Sequence, residues 1–552
     1  MNALSVALVA VLASPAVAAP PPTKYRTGDA GIDALQALVA QTLDANRKTF
    51  VGRTGTVSGF GAGTAYPQIW IRDSATLLPL TRWHVDRAHL QSWLEEHLAH
   101  QNADGSLNDW VAAGEVARFR ADAPRAREAY RAPSVVLTVD RNTTEADQES
   151  SAVVAARTIL DATRDVSWLR KPIAGRAVIA RLEAALSFIH ARRLSGGLVT
   201  AAFTADWGDV SPTYGDQRVI YLDDATPVVA SLYASAFYAR ASRALSEMHR
   251  AVGDRASAVR WASRSDATAA AINARLWQPR RGFYRMHLLV GAPAGWSAPD
   301  DAGIFALGGN TLAALYGIAS SARAARLVDV AEARRREHAL ATIGGVLLPP
   351  YPSGFFKHPI LREPFTYQNG GQWDWWAGRF VLAEFERGHA VRAMEHLRVL
   401  AATAAAERGL YEWRSRDGRG QGSALYAGSA AALGAAVLQG LFGLELGTGG
   451  LAVHVRLGAR SGEVSAQEPA TGTTIAYQQA YDAGAQTLKL AFETNARGAS
   501  RLEVLLPPGA RPTALRLDGR RHALPSVRTV GEDRYAVVAL DGASHTIEIV
   551  VR

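Results

Sequence analysis

Four segments of the sequence combine carboxylates, amides and aromatic side chains at close spacing. They occupy residues 66–74, 204–212, 367–376 and 409–413. Carboxylate and amide groups hydrogen-bond vicinal hydroxyls, and an indole ring stacks on the apolar face of a sugar ring. A packed core requires neither kind of group in such numbers, so these segments predict a pocket for a polyhydroxylated ligand.

The first segment places the adjacent residues Arg72 and Asp73 close to Trp70. A carboxylate that accepts hydrogen bonds from two neighbouring hydroxyls, beside a stacking indole, is typical of a sugar subsite. Asp73 is equally well placed to cap the helix that follows it. Both interpretations remain open on the sequence alone.

The second segment holds two carboxylates, Asp206 and Asp209, around Trp207. Gly208 and Pro212 exclude a regular helix here. A partly buried carboxyl group beside an apolar ring has a raised pKa, which a general acid requires at neutral pH. An aspartate-rich turn next to a core tryptophan is the alternative, and it is the commoner outcome for an isolated segment of this kind.

The third segment, residues 367–376, contains three tryptophans and three amides. Amide and indole N–H groups are suited to recognising the positions of hydroxyls, and the rings offer stacking surfaces. The composition therefore favours sugar binding by Gln368, Asn369 and Trp373 over a purely structural loop. The later tryptophans of the segment are also candidates for the core.

The fourth segment places Glu412 between Tyr411 and Trp413. A glutamate held between two aromatic rings is suited to bind and activate a water molecule. Taken alone, the segment is equally compatible with a half-buried strand or turn and a solvated carboxylate. A second, distant carboxylate favours the catalytic interpretation, because an inverting glycosidase needs an acid and a base about 6.5–9.5 Å apart on opposite faces of the sugar ring.

Helical periodicity dominates residues 28–445 and predicts roughly eleven or twelve helices joined by polar turns. One of these helices shows Tyr233 and Phe237 at helical spacing, with Asp223 and Asp224 as candidates for its cap. An even number of helices, joined by long loops rich in tryptophan and aspartate, predicts helical hairpins arranged around a pocket.

The apolar period changes to two after about residue 447, as in Leu488, Leu490 and Phe492. Short strands separated by Gly- and Pro-containing turns predict a β-sandwich of roughly a hundred residues. The predicted divisions of the chain are a signal peptide at residues 1–18, a helical catalytic domain at 19–446 and a β-sandwich domain at 447–552.

The composition narrows the class of protein. The chain has 552 residues, no cysteine and a formal net charge of +9 that is spread along its length. The lack of cysteine excludes disulfides, thiolate metal sites and cysteine nucleophiles, and unclustered charge argues against a nucleic-acid partner. The apolar residues before Ala18 predict a secretory signal that is too short to span a membrane. We expect a periplasmic or secreted bacterial protein without membrane insertion.

The segments and their order resemble the six-hairpin glycosidases. The chain is similar above all to the family-63 glycoside hydrolases, including mannosylglycerate hydrolases, and to bacterial glycogen-debranching α-glucosidases. The resemblance covers most of residues 50–445 and includes an early Arg-Asp pair, a mid-chain Trp-Gly-Asp, the loop 367–376 and a late glutamate. A Ser-Ala-rich helix and the ending Gly-Leu-Phe-Gly-Leu-Glu follow that glutamate. The resemblance implies a mainly α fold, an (α/α)6 toroid barrel with a C-terminal antiparallel β-sandwich domain.

By this resemblance, Asp209 matches the general acid and Glu412 the general base of an exo-acting, inverting glycoside hydrolase. Asp206 is the alternative acid. Glu149, at a helix start, is predicted either to contact substrate or to brace the pocket. The residues assigned to substrate binding are Trp70, Arg72, Asp73, Glu149, Trp207, Gln368, Asn369, Gly370, Trp373, Tyr411 and Trp413.

The resemblance further implies hydrolysis of an oligosaccharide or glycoside without a cofactor or a catalytic metal. An α-glucoside is the favoured substrate, but residues 372–376 read Gln-Trp-Asp-Trp-Trp where many relatives have Val-Trp-Pro-Trp. Mannosides, rhamnosides and β-linked substrates therefore remain open, as do bound calcium and oligomeric state.

Three other classes of function are alternatives to this one. A periplasmic glycan-binding protein without catalysis needs no pair of acid and base. An α/α-barrel polysaccharide lyase or epimerase usually relies on histidine or tyrosine, and the histidines here fall mostly within helical patterns. A phosphorylase would leave Glu412 without a role.

Overall fold

A computed structural model describes residues 23–116, 127–132, 135–141, 143–215, 222–542 and 544–552. The predicted signal peptide, residues 1–18, lies outside the described residues. Helices account for 38% of the described residues and strands for 27%. The described part of the chain is therefore mixed helix and strand rather than mainly α.

Twelve α-helices occur in the described part of the chain, and none is long and apolar enough to cross a membrane. Aspartate or serine side chains cap several of them, for example Asp29, which accepts from the backbone N–H groups of Gly31 and Ile32. The helices are α1 (Ala30–Ala45), α2 (Ile71–Thr81), α3 (Arg87–Ala99), α4 (Gln148–Thr163), α5 (Val178–Arg192), α6 (Leu232–Ala251), α7 (Arg255–Arg275), α8 (Leu307–Leu315), α9 (Ser321–Glu337), α10 (Asp374–Glu386), α11 (Ala390–Glu407) and α12 (Ala427–Ala435).

The helix predicted from Tyr233 and Phe237 is α6, but its cap differs from the prediction. Ser231 caps it by accepting from the N–H of Ala234, and a strand at Val228–Ser231 precedes it. The proposed caps Asp223 and Asp224 lie in the turn before that strand.

The even-numbered helices contact one another in a closed order, from α2 through α4, α6, α8, α10 and α12 back to α2. Each odd-numbered helix contacts an even-numbered neighbour. Burial separates the two sets: all nine residues of α12 are buried, whereas α9 buries four of its 17. Small residues allow the close approach, because a Cβ on Gly378 of α10 would lie 2.6 Å from the backbone carbon of Ala432 of α12.

Short strands precede several even-numbered helices and position their first turns. Two four-stranded sheets and five two-stranded sheets of this kind occur among the described residues. The sheet strands, in spatial order, are Ile69–Trp70, Trp110–Ala113, Val135–Asp140 and Arg127–Ala132 in one, and Leu194–Ser195, Leu198–Ala202, Val228–Ser231 and His287–Gly291 in the other. The two-stranded sheets pair Arg47–Gly52 with Gly55–Phe60, Pro172–Ile173 with Arg176–Ala177, Trp277–Gln278 with Phe283–Tyr284, Phe305–Ala306 with Leu347–Leu348, and Trp413–Arg414 with Gly420–Gln421.

The C-terminal part of the chain forms two larger sheets, whose buried apolar side chains belong to the same hydrophobic cluster as the helices. The strand pairs are antiparallel except that Gly450–Val455 runs parallel to Ser500–Leu505. The seven-stranded sheet has the order Lys24–Arg26, Gly462–Glu468, Thr473–Asp482, Thr487–Thr494, Ser544–Val551, Pro512–Leu517 and Arg520–His522. The five-stranded sheet has the order Leu444–Gly447, Gly450–Val455, Ser500–Leu505, Asp533–Leu540 and Ser526–Val530.

Two strands cross the division that the sequence predicted at residues 446 and 447. Lys24–Arg26, from the start of the described chain, is the edge strand beside Gly462–Glu468. Leu444–Gly447 begins before the predicted boundary and belongs to the five-stranded sheet. The C-terminal sheets therefore include segments from the region assigned to the helical domain.

A buried ion pair joins the seven-stranded sheet to the helices. Arg82, at the end of α2, binds the carboxylate of Glu468 and donates to the carbonyl of Leu446 at 2.7 Å. Arg164, after α4, binds the other oxygen of the same carboxylate. Because the Glu468 side chain is fully buried and that of Arg82 is 7% exposed, each charge depends on the other to offset its lost hydration.

Replacing Glu468 with glutamine is expected to destabilise the fold by about 3–5 kcal/mol, because it leaves the buried Arg82 without a counter-charge. Urea unfolding followed by tryptophan fluorescence measures the change as a lower midpoint. Glu493→Gln, at an exposed position of the same sheet, is the matched control. Equal midpoints for the two variants would contradict the stabilising role of the ion pair.

Candidate active site

The residues with potential chemistry gather at the N-terminal ends of the even-numbered helices. Arg72 in the first turn of α2 binds Asp147 just before α4, and Asp147 accepts from the Tyr233 hydroxyl of α6 at 2.8 Å. On the other side of α2, Asp73 accepts from the hydroxyl of Tyr426, the residue before α12, at 3.2 Å. Side-chain contacts therefore connect four helix starts around one site.

Glu412 is the most completely held carboxylate of this site. The Tyr66 hydroxyl donates to both of its oxygens at 3.2 Å, and the Tyr367 hydroxyl lies 3.3 Å from Oε1. The backbone N–H of Ser423 donates to Oε2 at 3.0 Å. Burial raises the pKa of Glu412, and these three donors oppose that rise.

The backbone around Glu412 is fixed as well. Its N–H donates to the carbonyl of Ser423 at 3.0 Å, and the hairpin of Trp413–Arg414 with Gly420–Gln421 follows it directly. Arg414 is fully buried and donates to Asp374, the first residue of α10, at 2.8 Å. The loop that carries Glu412 is therefore joined to α10.

Asp209 lies on a different loop and is partly open to solvent. Gln368 Nε2 donates to its Oδ1 at 3.2 Å. The charge of Asp209 contributes to the raised pKa values of Glu412 and Tyr66, so the two carboxylates face a common space. Gly208 permits this arrangement, because a Cβ there would lie 2.5 Å from Oε1 of Gln368.

Asp206, the alternative acid, has a different environment. It is buried, has a left-handed φ of 58°, and accepts from the N–H of Gly309 in α8 at 2.9 Å. Burial raises its pKa to about 7, and the N–H groups of Gly308 and Gly309 oppose the rise. Its carboxylate fastens the loop that carries Asp209 to the first turn of α8.

Arg72 does not occupy the sugar-binding position that the sequence predicted. It is 8% exposed, and its guanidinium binds Glu145 at 2.5 Å and Asp147 at 2.6 Å. Asp73 remains half-buried at the site, and burial raises its pKa to about 6. In the described structure α2 has no side-chain capping bond, which leaves the subsite interpretation of Asp73 and removes the capping one.

The loop 367–376 divides into one residue at the site and several that shape the loop. Asn369 is fully buried, and its amide bonds the backbone of Tyr351 in both directions, so its predicted sugar contact is corrected to a structural role. Gly370 has a φ of 91°, which favours glycine. Trp373 is buried and donates to the carbonyl of Tyr367 at 3.0 Å.

Trp207 is also a core residue rather than a stacking surface. It is 4% exposed, and its ring meets those of Trp373, Trp375 and Trp376 with centroids 4.7, 5.1 and 5.8 Å away. This cluster packs the Asp209 loop against α10. Trp70, half-buried at the start of α2, contacts the ring of Trp110.

Of the remaining predicted residues, Tyr411 and Trp413 are half-buried on either side of Glu412. The Trp413 ring lies 6.4 Å from that of Tyr367, whereas the Tyr411 ring packs against Gly409 and Gly420. Trp413 therefore borders the site, and Tyr411 packs within its own hairpin.

Glu149 fits the bracing role of the two that were predicted for it. It is 1% exposed, and its Oε1 accepts from the N–H of Leu107 and from Arg141, both at 3.0 Å.

The sequence did not single out Tyr66, Tyr367, Tyr426, Asp109 or Glu145 as site residues. The three tyrosines lie in or beside the four segments, but a hydroxyl that binds a carboxylate has no local signature. Asp109 is 1% exposed, and burial raises its pKa well above the usual range. It follows Asn108 and precedes Trp110, which is the same combination of amide, carboxylate and indole that marked the other segments.

The arrangement supplies two carboxylates of different character on facing loops, with hydroxyl and amide donors between them. Among the described residues no cluster of three or more histidines and carboxylates is arranged to hold a metal ion. Acid–base chemistry on a neutral, hydroxyl-bearing ligand is what these groups support.

Residues 66–314 match the family model of the mannosylglycerate hydrolase MGH1-like glycoside hydrolase domain. The matched range includes Tyr66, Asp73 and Asp209 and ends before Glu412. The resemblance predicted from the sequence is thereby confirmed over this range, and the chain contains a glycoside hydrolase domain. No curated protein matches the sequence.

Solved glycosidase structures share the fold at low sequence identity. The α-L-rhamnosidase from Dictyoglumus thermophilum has a TM-score of 0.60 and 8% identity, covering 96% of this chain and 50% of its own. The GH78 family rhamnosidase of Bacillus sp. GL1 has a TM-score of 0.58 and 15% identity, and the match covers 88% of this chain and 43% of the rhamnosidase. The GH63 mannosylglycerate hydrolase from Thermus thermophilus, in complex with glucose, has a TM-score of 0.51 and 20% identity. The match covers 72% of this chain and 99% of the hydrolase. The chain thus spans half or less of either rhamnosidase.

The raised pKa of Asp206 predicts a pH-dependent penalty on stability. The folded pKa of about 7 exceeds the ordinary 3.8, so stability is lost as the pH rises from about 4 through 7. Asp206→Asn keeps an acceptor for Gly309, tolerates the left-handed backbone and cannot ionise. The melting temperature of the variant, measured by calorimetry and relative to wild type, should therefore rise between pH 4 and 8.

The control for this experiment is Asp541→Asn, whose side chain is 98% exposed. Its melting temperature relative to wild type should stay constant over the same pH range. A flat difference for Asp206→Asn would show that Asp206 ionises in the folded protein as it does in the unfolded chain.

Proposed function

We propose that this glycoside hydrolase is exo-acting and inverting, with Asp209 as general acid and Glu412 as general base. The observation that carries the proposal is the contrast between the two carboxylates. Glu412 is held by Tyr66, Tyr367 and Ser423, whereas Asp209 is half-exposed and has one amide donor. A base must keep a fixed orientation toward water, and an acid needs a free oxygen toward the leaving group.

In this mechanism Asp209 protonates the glycosidic oxygen while Glu412 removes a proton from the water that attacks the anomeric carbon. The C–O bond to the leaving group breaks as the bond to water forms, so the anomeric configuration inverts. Each proton transfer contributes about 10²–10⁴-fold to the rate. The two tyrosine hydroxyls hold the Glu412 carboxylate, which leaves its remaining lone pairs to orient the water.

Asp209 is preferred over Asp206 because of access. The pKa of Asp206 suits an acid, but its carboxylate is buried and bonded to the first turn of α8. The charge of Asp209 acts on Glu412, Tyr66 and Tyr367, the groups that define the site.

We infer that the cyclic order of the even-numbered helices closes into an (α/α)6 toroid, with the site at the end where those helices begin. The two C-terminal sheets are inferred to stack as a β-sandwich, which their shared hydrophobic cluster supports. A pocket at one end of a closed ring admits a chain terminus, which is the basis for exo action.

An α-glucoside is the proposed substrate. The half-buried Asp73, with its bond from Tyr426, is the carboxylate placed to bind hydroxyls of the terminal sugar. The named activities of the similar structures, mannosylglycerate hydrolase and α-L-rhamnosidase, make α-mannosides and α-L-rhamnosides the competing substrates to test.

Proton NMR of the first sugar released from α-gluco, α-manno, α-L-rhamno and β-linked substrates is expected to show inversion of the anomer. Asp209→Asn and Glu412→Gln should each lower kcat at least 100-fold, because each removes one proton transfer. Asp541→Asn, on the exposed surface, should retain full activity. Retention of configuration would exclude this acid–base assignment, and a panel without any cleavage would favour a glycan-binding protein.

Removing one hydroxyl from Glu412 should shift the pH dependence of activity. Tyr66→Phe deletes a hydrogen bond to the ionised base, so the pKa of Glu412 rises and the low-pH limb of kcat/KM moves up by about one pH unit. Tyr367→Phe should act in the same direction. Tyr481→Phe, in the C-terminal sheet, should leave the profile in place; an unmoved limb in both site variants would mean that another group sets it.

A further inference from the structure

A second cavity lies away from the proposed catalytic carboxylates. It has a volume of about 970 Å³ and lies between the helical part of the chain and one face of the five-stranded sheet. Ligand sites commonly have volumes of about 300–1,000 Å³, so this cleft accommodates roughly two or three sugar units. Neither Asp209 nor Glu412 lines it.

The sheet side of the cleft carries an ordered ionic cluster. Glu503 is 1% exposed and binds His454 at 2.9 Å, Arg501 at 3.0 Å and Arg528 at 2.8 Å. The arginine side chains are 54% and 48% exposed, so guanidinium N–H groups not used by Glu503 face the solvent of the cleft. The buried carboxylate fixes the positions of these donors.

The helical side offers acceptors. Glu386, the last residue of α10, makes no hydrogen bond or ion pair with the described residues, although it lines the cleft and is open to solvent. On the sheet side, Glu445 of the strand Leu444–Gly447 is 74% exposed and binds His454 at 3.1 Å. The Nε of the nearby Arg456, buried at the base of the cleft, also lacks a partner among the residues described.

The charges of the cleft select a class of ligand. Two exposed carboxylates, Glu386 and Glu445, and two exposed guanidinium groups, Arg501 and Arg528, line the cleft, so a highly charged ligand of either sign meets a like charge there. A neutral polyol satisfies both walls, because each hydroxyl donates to a carboxylate and accepts from a guanidinium. The half-buried Val530 and Val537 add apolar surface for the C–H face of a sugar.

We propose that this cleft is a second saccharide-binding site, which holds a neutral oligosaccharide between Glu386 and the cluster of Arg501, Glu503 and Arg528. It goes beyond the proposed hydrolysis, because binding here involves no residue of the catalytic site. An enzyme that acts on chain ends gains from such a site, since a chain held nearby raises the local concentration of its ends.

The test uses the full chain with the substitution Glu412→Gln, so that bound sugar is not consumed. Calorimetric titration with neutral α-linked trisaccharides of glucose, mannose and rhamnose measures binding in this background and in two further variants. Glu386→Gln and Arg501→Gln, on opposite walls, should each raise the Kd of the trisaccharide for the cleft at least tenfold. Glu493→Gln and Arg520→Gln, at exposed positions outside the cleft, should not.

A site that responds to both cleft variants supports the proposal whether or not a catalytic site also binds. The hydrolysis of small aryl glycosides, measured with Glu412 intact, should not change in Glu386→Gln, which separates this proposal from the catalytic one. Trisaccharide binding that both variants leave unchanged, or the absence of any trisaccharide binding, would each overturn the proposal. Unchanged melting temperatures exclude loss of fold as the cause of weaker binding.

Discussion

The site depends on the buried pairing of Arg72 with Asp147. Arg72 belongs to α2, Asp147 stands at the start of α4, and the Tyr233 hydroxyl of α6 donates to the same carboxylate. These contacts on Asp147 therefore fix the relative positions of α2, α4 and α6 at the end where the site lies. The buried Arg72 needs counter-charges, because a buried cation is costly unless it is paired. Its positive charge in turn stabilises the nearby carboxylates Glu145 and Asp109 in a region with little water. Without that cation, like charges at the helix starts would repel one another.

The two loops that carry the proposed catalytic residues are also fixed by buried charged groups, each of which attaches its loop to an even-numbered helix. Arg414 joins the loop of Glu412 to Asp374 in α10. Asp206 joins the loop of Asp209 to the N–H groups of α8. Irregular loops lack a repeating hydrogen-bond pattern, so their geometry is only as fixed as such side-chain bonds make it. The proposed catalytic residues Asp209 and Glu412 are therefore positioned by Asp206 and by the Arg414–Asp374 pair, for which no catalytic role is proposed.

The sequence identified the loops of the site more reliably than the role of each residue. Composition marked the segments because tryptophan, amide and carboxylate rarely coincide by chance. It could not separate Asn369, whose amide satisfies loop backbone, from Gln368, whose amide meets Asp209, because both needs select the same side chain. The period of α6 was visible, but the strand at Val228–Ser231 was not, since its residues also fit a helix. The pairing of Lys24–Arg26 with a C-terminal strand depends on contacts distant in sequence, which local patterns do not encode.

Asp206 and Asp209 show why a raised pKa alone does not identify an acid. Burial raises the pKa of Asp206 to about 7, yet the same burial keeps its carboxylate away from any substrate. A general acid must reach the leaving oxygen, so one carboxylate oxygen has to be free while the other is held. Asp209 is half-exposed, Gln368 donates to its Oδ1, and its charge acts on Glu412. The two aspartates therefore differ in their access to substrate. A pKa near neutrality reports the loss of water around a carboxyl group, which structural and catalytic carboxyls share. Proton transfer additionally requires a carboxyl group that the substrate can reach, as the half-exposed Asp209 allows.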